Sequence, residues 1–241
     1  VHVMTVTSMA EELVEAHNKF QLTGLPFITV KFAMSLDGKT ATRNKDSKWI
    51  TGEKARNLGH ELRQMSDSIM VGVNTILTDD PKLTSRDEHG QSFKRQPVRI
   101  IMDSKGCTPP DSQIFQSISK IFIFTTDLGK DKKFRHDDTD VIVMPSREGK
   151  VDLLQSISQL GKLGITSLLV EGGSKLIGSF FDLNLVDKVV AFIAPVIIGG
   201  SEAPSSVGGL GVNNLSEAVH IINKRVEFVG DDLAVIGYCR E

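Results

Sequence analysis

Short runs of consecutive apolar residues punctuate this chain, and stretches with a helical period lie between them. The runs at residues 27–35, 68–73, 98–102, 121–124, 141–144 and 167–170 show little polar alternation, as strands covered on both faces do. Helical spacing appears at residues 8–20, with Leu13, Ala16 and Phe20 on one face. It appears again from Thr51, a candidate N-cap with Glu53 in the first turn, where Ala55, Leu58, Leu62 and Met65 form a stripe. Residues 151–163 repeat the pattern with Leu153, Leu154, Ile157 and Leu160 inward, and residues 175–181 predict a helix opened by glycines. Strand-like runs at 188–194 and 233–238 close the chain. The order predicts an α/β fold, with a mostly parallel central sheet, helices on both faces and a C-terminal antiparallel strand pair. Residues 1–241 read as one domain, with residues 1–26 as an N-terminal helical extension and Pro26 opening the first strand. The Gly- and Ser-rich stretch 199–216 lies between strand-like runs, so it reads as a functional or mobile loop rather than a linker.

Composition narrows the chemistry. The 241 residues are 40% hydrophobic and 24% charged, ordinary for a soluble globular protein, and the net charge of −2 gives no footprint for nucleic acid. Cys107 and Cys239 are far apart in no metal-type spacing, which suits a reducing compartment. No apolar run approaches the ~20 residues of a membrane span. Glu11 and Glu12 stand where a secretory signal needs an apolar core, so the cytoplasm is expected. The six histidines form no HExxH or paired metal spacing, and no metal is expected. Neither the HxE and PCxxC of a zinc deaminase, nor a GxSxG elbow, nor a Walker lysine motif occurs.

Polar specificity concentrates at strand ends. Glu171-Gly172-Gly173-Ser174 stands where a strand meets a helix. Its glycines allow close backbone approach, and free N–H groups at a helix start favour an anion such as a dinucleotide diphosphate. The same residues also suit a plain tight turn, and Glu171 could simply cap its amides. A carboxylate at the carboxyl end of a buried strand otherwise lies at the ligand edge of an open α/β sheet. Thr75 and Asp79 follow another strand end, although Asp79-Asp80-Pro81 also makes an ordinary turn. Arg63 and Arg86 are surface charges or a phosphate grip, since the guanidinium fork matches phosphate. Lys31 interrupts the apolar ITVKFAM and either snorkels to the edge or faces a site. Trp49, the only tryptophan, is packing or a cofactor contact.

The motifs SLDGK (35–39), SKWIT (47–51), Arg63, NTILTDDPKLTSR (74–86) and VEGGSKLIGSF (170–180), in that order, resemble the reductases of riboflavin biosynthesis that act on ribosylamino-pyrimidinone phosphates. The resemblance covers about residues 27–238. It implies a dihydrofolate-reductase-like fold, NADPH as cofactor and a homodimer. It also implies reduction of the ribosyl side chain of 2,5-diamino-6-ribosylamino-4(3H)-pyrimidinone 5′-phosphate to ribityl. The lack of a deaminase motif fits a stand-alone reductase. Carried over by position, Lys31, Ser47, Arg63, Leu83, Arg86 and Glu171 fall on substrate positions. Trp49, Thr75, Asp79, Ser104, Gly172, Gly173, Ser174 and Lys175 fall on cofactor positions. The chemistry then asks for hydride at C1′ of the opened ribosylamine and a proton at the departing ring oxygen. Lys31 and Glu171 are the candidate proton-handling pair, with Asp37 a third possibility. Two other readings are a dihydrofolate-type pterin reductase and a non-catalytic NADP-binding domain. The first calls for an acidic residue and no pair of phosphate-binding arginines. The second calls for loss of residues such as Lys31, Glu171 or Arg63, all of which are present.

Overall fold

The structure, a computed structural model, describes residues 2–116, 119–134 and 136–240. In chain order the elements are α1 (His2–Thr23), β1 (Phe27–Ser35), α2 (Glu53–Met65), β2 (Ser68–Gly72), α3 (Val73–Asp79), β3 (Val98–Met102), β4 (Ile121–Thr125) and β5 (Thr139–Val143). A short hairpin, β6 (Ser146–Arg147) and β7 (Lys150–Val151), leads into α4 (Leu153–Lys162), β8 (Ser167–Val170), α5 (Ser174–Asp182), β9 (Lys188–Ala194), β10 (Ile222–Val229) and β11 (Asp232–Tyr238).

The main sheet has the order β10-β11-β9-β1-β8-β2-β3-β4-β5. It is parallel from β9 to β5, while β11 and β10 join antiparallel at the other edge. This is the mostly parallel sheet with a C-terminal antiparallel pair that the apolar runs predict. Alternation along each strand divides the core. Ile28, Val30, Met70, Ile100, Phe122 and Val170 face α4 and α5. On the opposite side, Ile69, Val71, Ile101 and Ile123 face Ile76 of α3, and Val190, Phe192 and Ala234 lie under Ala55 of α2. Strands buried on both faces cannot carry polar residues in their middles, so they read as continuous apolar runs.

The departures have local causes. The N-cap of α2 is Gly52 rather than Thr51, because Asp232 Oδ2 accepts the Gly52 N–H at 2.7 Å and sets where the helix begins. Met65 ends that helix largely in solvent. In α4, Asp152 accepts the Gln155 N–H at 3.0 Å as N-cap. The buried stripe there runs through Ser156 and Gly161 instead of Leu154, because the helix presses on backbone: a Cβ on Gly161 would lie 2.0 Å from the Gly24 carbonyl oxygen. Strand β2 stops at Gly72, and Val73 starts the seven-residue α3, too short to show a period. The edge strand β10, placed in the expected C-terminal loop, is exposed along most of its length and so left no apolar run. Helix α1 outruns its expected span at both ends, and its Leu13 points to solvent. Its docking is largely ionic: Glu15 accepts from Lys188 Nζ at 2.9 Å and Tyr238 Oη at 2.7 Å, Glu12 pairs with Arg225, and Lys19 pairs with Asp187.

Helix α5 lies very close to the segment after β9. A Cβ on Gly178 would sit 2.1 Å from the Gly208 carbonyl oxygen. Helix propensity alone favours alanine over glycine by ~1 kcal/mol. Overpacking against backbone typically costs ~1–3 kcal/mol and should win. Gly178→Ala is therefore expected to lower the thermal unfolding midpoint. A raised midpoint would mean that the loop yields freely.

Candidate active site

The carboxyl ends of β1, β8 and β2 meet where the chain order of the strands reverses, the usual ligand edge of such sheets. Val30 pairs with Val170, which sets Lys31 of β1 level with Glu171 just past β8. Both fall on the side of the sheet covered by α2. Glu171 is buried, and its backbone N–H donates to the Met70 carbonyl at 3.0 Å. Arg63, in the last turn of α2, donates from Nε to Glu171 Oε1 at 2.9 Å and from Nη2 to Oε2 at 2.8 Å. Burial alone would raise the Glu171 carboxyl. The charges of Arg63 and Lys31 and the Arg63 hydrogen bonds outweigh burial and bring it down to about 2. Burial likewise works against the Arg63 charge, and the carboxylate more than compensates.

Lys31 has no such partner. Among the described residues, no hydrogen bond or ion pair reaches its ammonium, which stands 5.6 Å from the centre of the Phe192 ring. Gly59 of α2 leaves it room: a Cβ there would lie 3.6 Å from Nζ. Burial, chiefly, holds its pKa below 10.5; Glu171 opposes that shift and Arg63 adds to it. The two expected proton-handling groups are thus unlike. Glu171 is a fixed carboxylate across the working pH range, whereas Lys31 is a cation that gives up its proton more readily than usual.

Thr84, which the sequence did not mark, ties the arginines together. Its carbonyl accepts from Arg63 Nη1 at 3.1 Å and lies 3.0 Å from His60 Nδ1. Its hydroxyl accepts from Arg86 Nε at 2.9 Å. Burial, with Arg63 and Arg86 nearby, keeps His60 below its usual pKa, so it is neutral and donates through Nδ1. The Nη groups of Arg86 have no partner among the described residues. Leu83 takes a left-handed conformation, φ +50°, with its side chain in the core beside Ile76. Only its backbone is left to meet a ligand.

A cavity of about 400 Å³ opens beside this centre. Thr75, Ser104, Gly173, Ser174 and Lys175 line it, five of the residues marked for a cofactor. Gly173 caps α5 with no side chain on the helix start, so the first N–H groups are open to an anion. Thr75 Oγ1 accepts the Gly173 N–H at 3.2 Å, and Gly172 takes φ +109° against it, where a Cβ would come within 2.7 Å of that hydroxyl. Lys150 of the β6–β7 hairpin adds a cation to the wall. It comes from a polar segment without a periodic pattern, so nothing in the sequence marks it. Asp79 ends α3 outside the cavity wall, its pKa raised by burial against the pull of Lys48. Ser47 sits in the loop between β1 and α2. Trp49 is 71% exposed with the Arg56 guanidinium 4.6 Å from its ring centre, so it is no core residue. Asp37 accepts from Ser35 Oγ and from the N–H groups of Ile198 and Gly199, which anchors the loop after β9 and lowers the carboxyl to about 2. That is the role of a structural clasp and not of a proton donor.

These features define an α/β protein with a cavity at an open helix start next to a buried charge cluster. The chain belongs to the family described as the RibD C-terminal domain, whose model matches residues 26–235. It is 40% identical over 212 residues to the riboflavin biosynthesis protein RibD of Actinobacillus pleuropneumoniae, covering 86% of this chain and 55% of that protein. It is 36% identical over 212 residues to the 2,5-diamino-6-ribosylamino-4(3H)-pyrimidinone 5′-phosphate reductase of Methanothermobacter thermautotrophicus, covering 87% of this chain and 96% of the relative. The crystal structure of a diaminohydroxyphosphoribosylaminopyrimidine deaminase/5-amino-6-(5-phosphoribosylamino)uracil reductase from Thermotoga maritima superposes with a TM-score of 0.80 at 29% identity, over 97% of this chain and 62% of that one. The chain spans roughly half to two thirds of the RibD relatives it matches.

The depressed Glu171 carboxyl has a stability consequence. Its contribution is fully present above pH 4.5 and is lost as pH falls toward about 2. Glu171→Gln leaves Arg63 buried without its counter-charge, which costs on the order of 3 kcal/mol at neutral pH. Denaturant titration is expected to show that gap at pH 7 and its narrowing below pH 4.5. An equal gap at pH 3 and pH 7 would contradict the pairing.

Proposed function

We propose that this chain is an NADPH-dependent reductase that converts the ribosylamino side chain of 2,5-diamino-6-ribosylamino-4(3H)-pyrimidinone 5′-phosphate to ribitylamino. The observation that carries the proposal is the unpaired Lys31 ammonium beside the Arg63–Glu171 pair, next to a cavity with an open helix start. The near full-length match to a relative named for this reaction supports it. Residues 1–241 would form a single reductase domain, with residues 1–26 as its N-terminal helical extension. A cytoplasmic location is part of the same reading.

The cavity residues fit the cofactor. The α5 start with Lys175 and Lys150 would hold the diphosphate, Thr75 and Ser174 would add hydroxyl contacts, and Ser104 would stand at the adenosine end. Trp49 and Asp79 would have to swing in or act through backbone. Bound there, NADPH supplies the hydride that C1′ accepts. The protein's own part is the proton. Lys31 donates from Nζ to the departing ring oxygen and recovers a proton from solvent, so hydride and proton together balance the reduction. The Glu171 carboxylate keeps that ammonium charged before transfer and accepts hydrogen bonds from sugar hydroxyls. Arg63 holds Glu171 in place and is thereby taken up, which leaves the 5′-phosphate to Arg86. Ser47 and the Leu83 backbone would line the substrate.

A homodimer is part of the reading. Val226 and Phe228 of the edge strand β10 are 60% and 82% exposed, an apolar edge that a second copy would cover. Sedimentation is expected to give twice the 26.4 kDa of the chain, and a single-chain mass at working concentration would reject it.

The test of the activity is NADPH oxidation with the diamino substrate and its deaminated analogue side by side. Turnover of neither ends the proposal. Lys31→Met, which keeps the chain length and removes the proton, is expected to lower kcat by about 10²–10⁴-fold with substrate KM changed far less. A kcat within threefold of wild type would remove Lys31 from the proton's path.

A further inference from the structure

We infer that Thr84 is the positioning residue for the phosphate grip, aiming the Arg86 guanidinium by holding its Nε. The inference rests on the reading that Arg86 meets the substrate's phosphate.

Arginine is long, and an unheld guanidinium loses rotamer freedom when it closes on an anion. Here the restraint is built in beforehand. Thr84 is buried, and its hydroxyl accepts from Arg86 Nε at 2.9 Å, which leaves the two Nη groups of the half-buried arginine as a two-donor fork with no partner among the described residues. The threonine itself cannot move. Its carbonyl is held by Arg63 Nη1 and His60 Nδ1, and its neighbour Leu83 is fixed by burial in a left-handed turn. On the other side, Ser85 N–H donates to Gln96 Oε1 at 2.8 Å, and Gln96 Nε2 returns a bond to the Ser85 carbonyl at 2.9 Å. A rigid backbone thus carries one side-chain oxygen placed to orient one flexible cation. The same residue joins that cation, through its carbonyl, to the arginine that holds Glu171.

The side chain can be removed without touching the carbonyl contacts, which makes the claim testable. Thr84→Val keeps shape and loses the acceptor; Thr84→Ser keeps it. Substrate KM and the dissociation constant of ribose 5-phosphate, measured by calorimetry, are read together with kcat and NADPH KM. Thr84→Val is expected to raise substrate KM and weaken ribose 5-phosphate by about threefold to tenfold, with kcat and NADPH KM within twofold. Thr84→Ser should restore both. In an Arg86→Ala background, Thr84→Val should add nothing, because the group it positions is gone. Multiplying losses in the double variant would overturn the inference, as would unchanged ribose 5-phosphate binding in Thr84→Val. A joint fall of kcat, cofactor binding and melting temperature would mark Thr84 as merely structural and overturn it too. If wild type reduces no pyrimidinone phosphate, the reductase reading fails on its own, and the ribose 5-phosphate titrations still decide the claim about Thr84. If wild type does not bind ribose 5-phosphate, the inference falls.

Discussion

Two opposite charges taken out of water have to meet, and here they come from different layers of the molecule. Arg63 belongs to a helix and Glu171 to a strand end, 108 residues apart in sequence, and they join through two hydrogen bonds in a largely buried pocket. Either charge alone would be costly there. The pair therefore fixes how α2 lies over the sheet, and with it the place of His60, of Gly59 beside Lys31, and of the Thr84 carbonyl. The binding edge is organised by a contact that cannot be released cheaply.

The pair also sets the sign of what surrounds it. Glu171 pairs with Arg63 and also favours the charge on Lys31, while the Nη groups of Arg86 have no partner among the described residues and burial keeps His60 below its usual pKa. Arg63, Lys31 and Arg86 around one buried carboxylate suit a phosphorylated ligand, with Glu61, Asp87 and Glu88 lining the cavity beside Arg86. Burial works against the lone Lys31 ammonium and makes it a readier proton donor than an exposed lysine. The cofactor-type cavity lies on the adjoining strand ends, where backbone N–H groups and lysines serve instead of a buried pair.

Much of this was legible in the sequence where burial leaves a mark. Strands β1, β3, β8 and β9 stand out because both faces are covered, and Glu171 stands out because a carboxylate follows such a run. Strand β10 does not, since an edge strand open to solvent can be as polar as INKRVEFV. Thr84 and Lys150 were silent for another reason. A threonine in a turn and a lysine in a polar hairpin carry no periodicity, and their neighbours are set by tertiary approach alone. The sequence marked Arg63 and Arg86 as a like pair, but only the fold separates them, because the carboxylate that claims Arg63 lies far along the chain.

The docking of α1 bears on the order in which the molecule is made. Glu12 and Glu15 reach Lys188, Arg225 and Tyr238 across 173, 213 and 223 residues, so the first helix grips the last strands. Contacts that span so much chain close late, because the intervening loop must be ordered first. The Glu12 and Glu15 contacts of α1 wait until β9, β10 and β11 exist to receive them. Strands β2 to β5 can pair meanwhile, since each follows its sheet neighbour in the chain, whereas β1 waits for β8 and β9. The clasp is then the step that ties α1 to the edge formed by β9, β11 and β10 once the body is built.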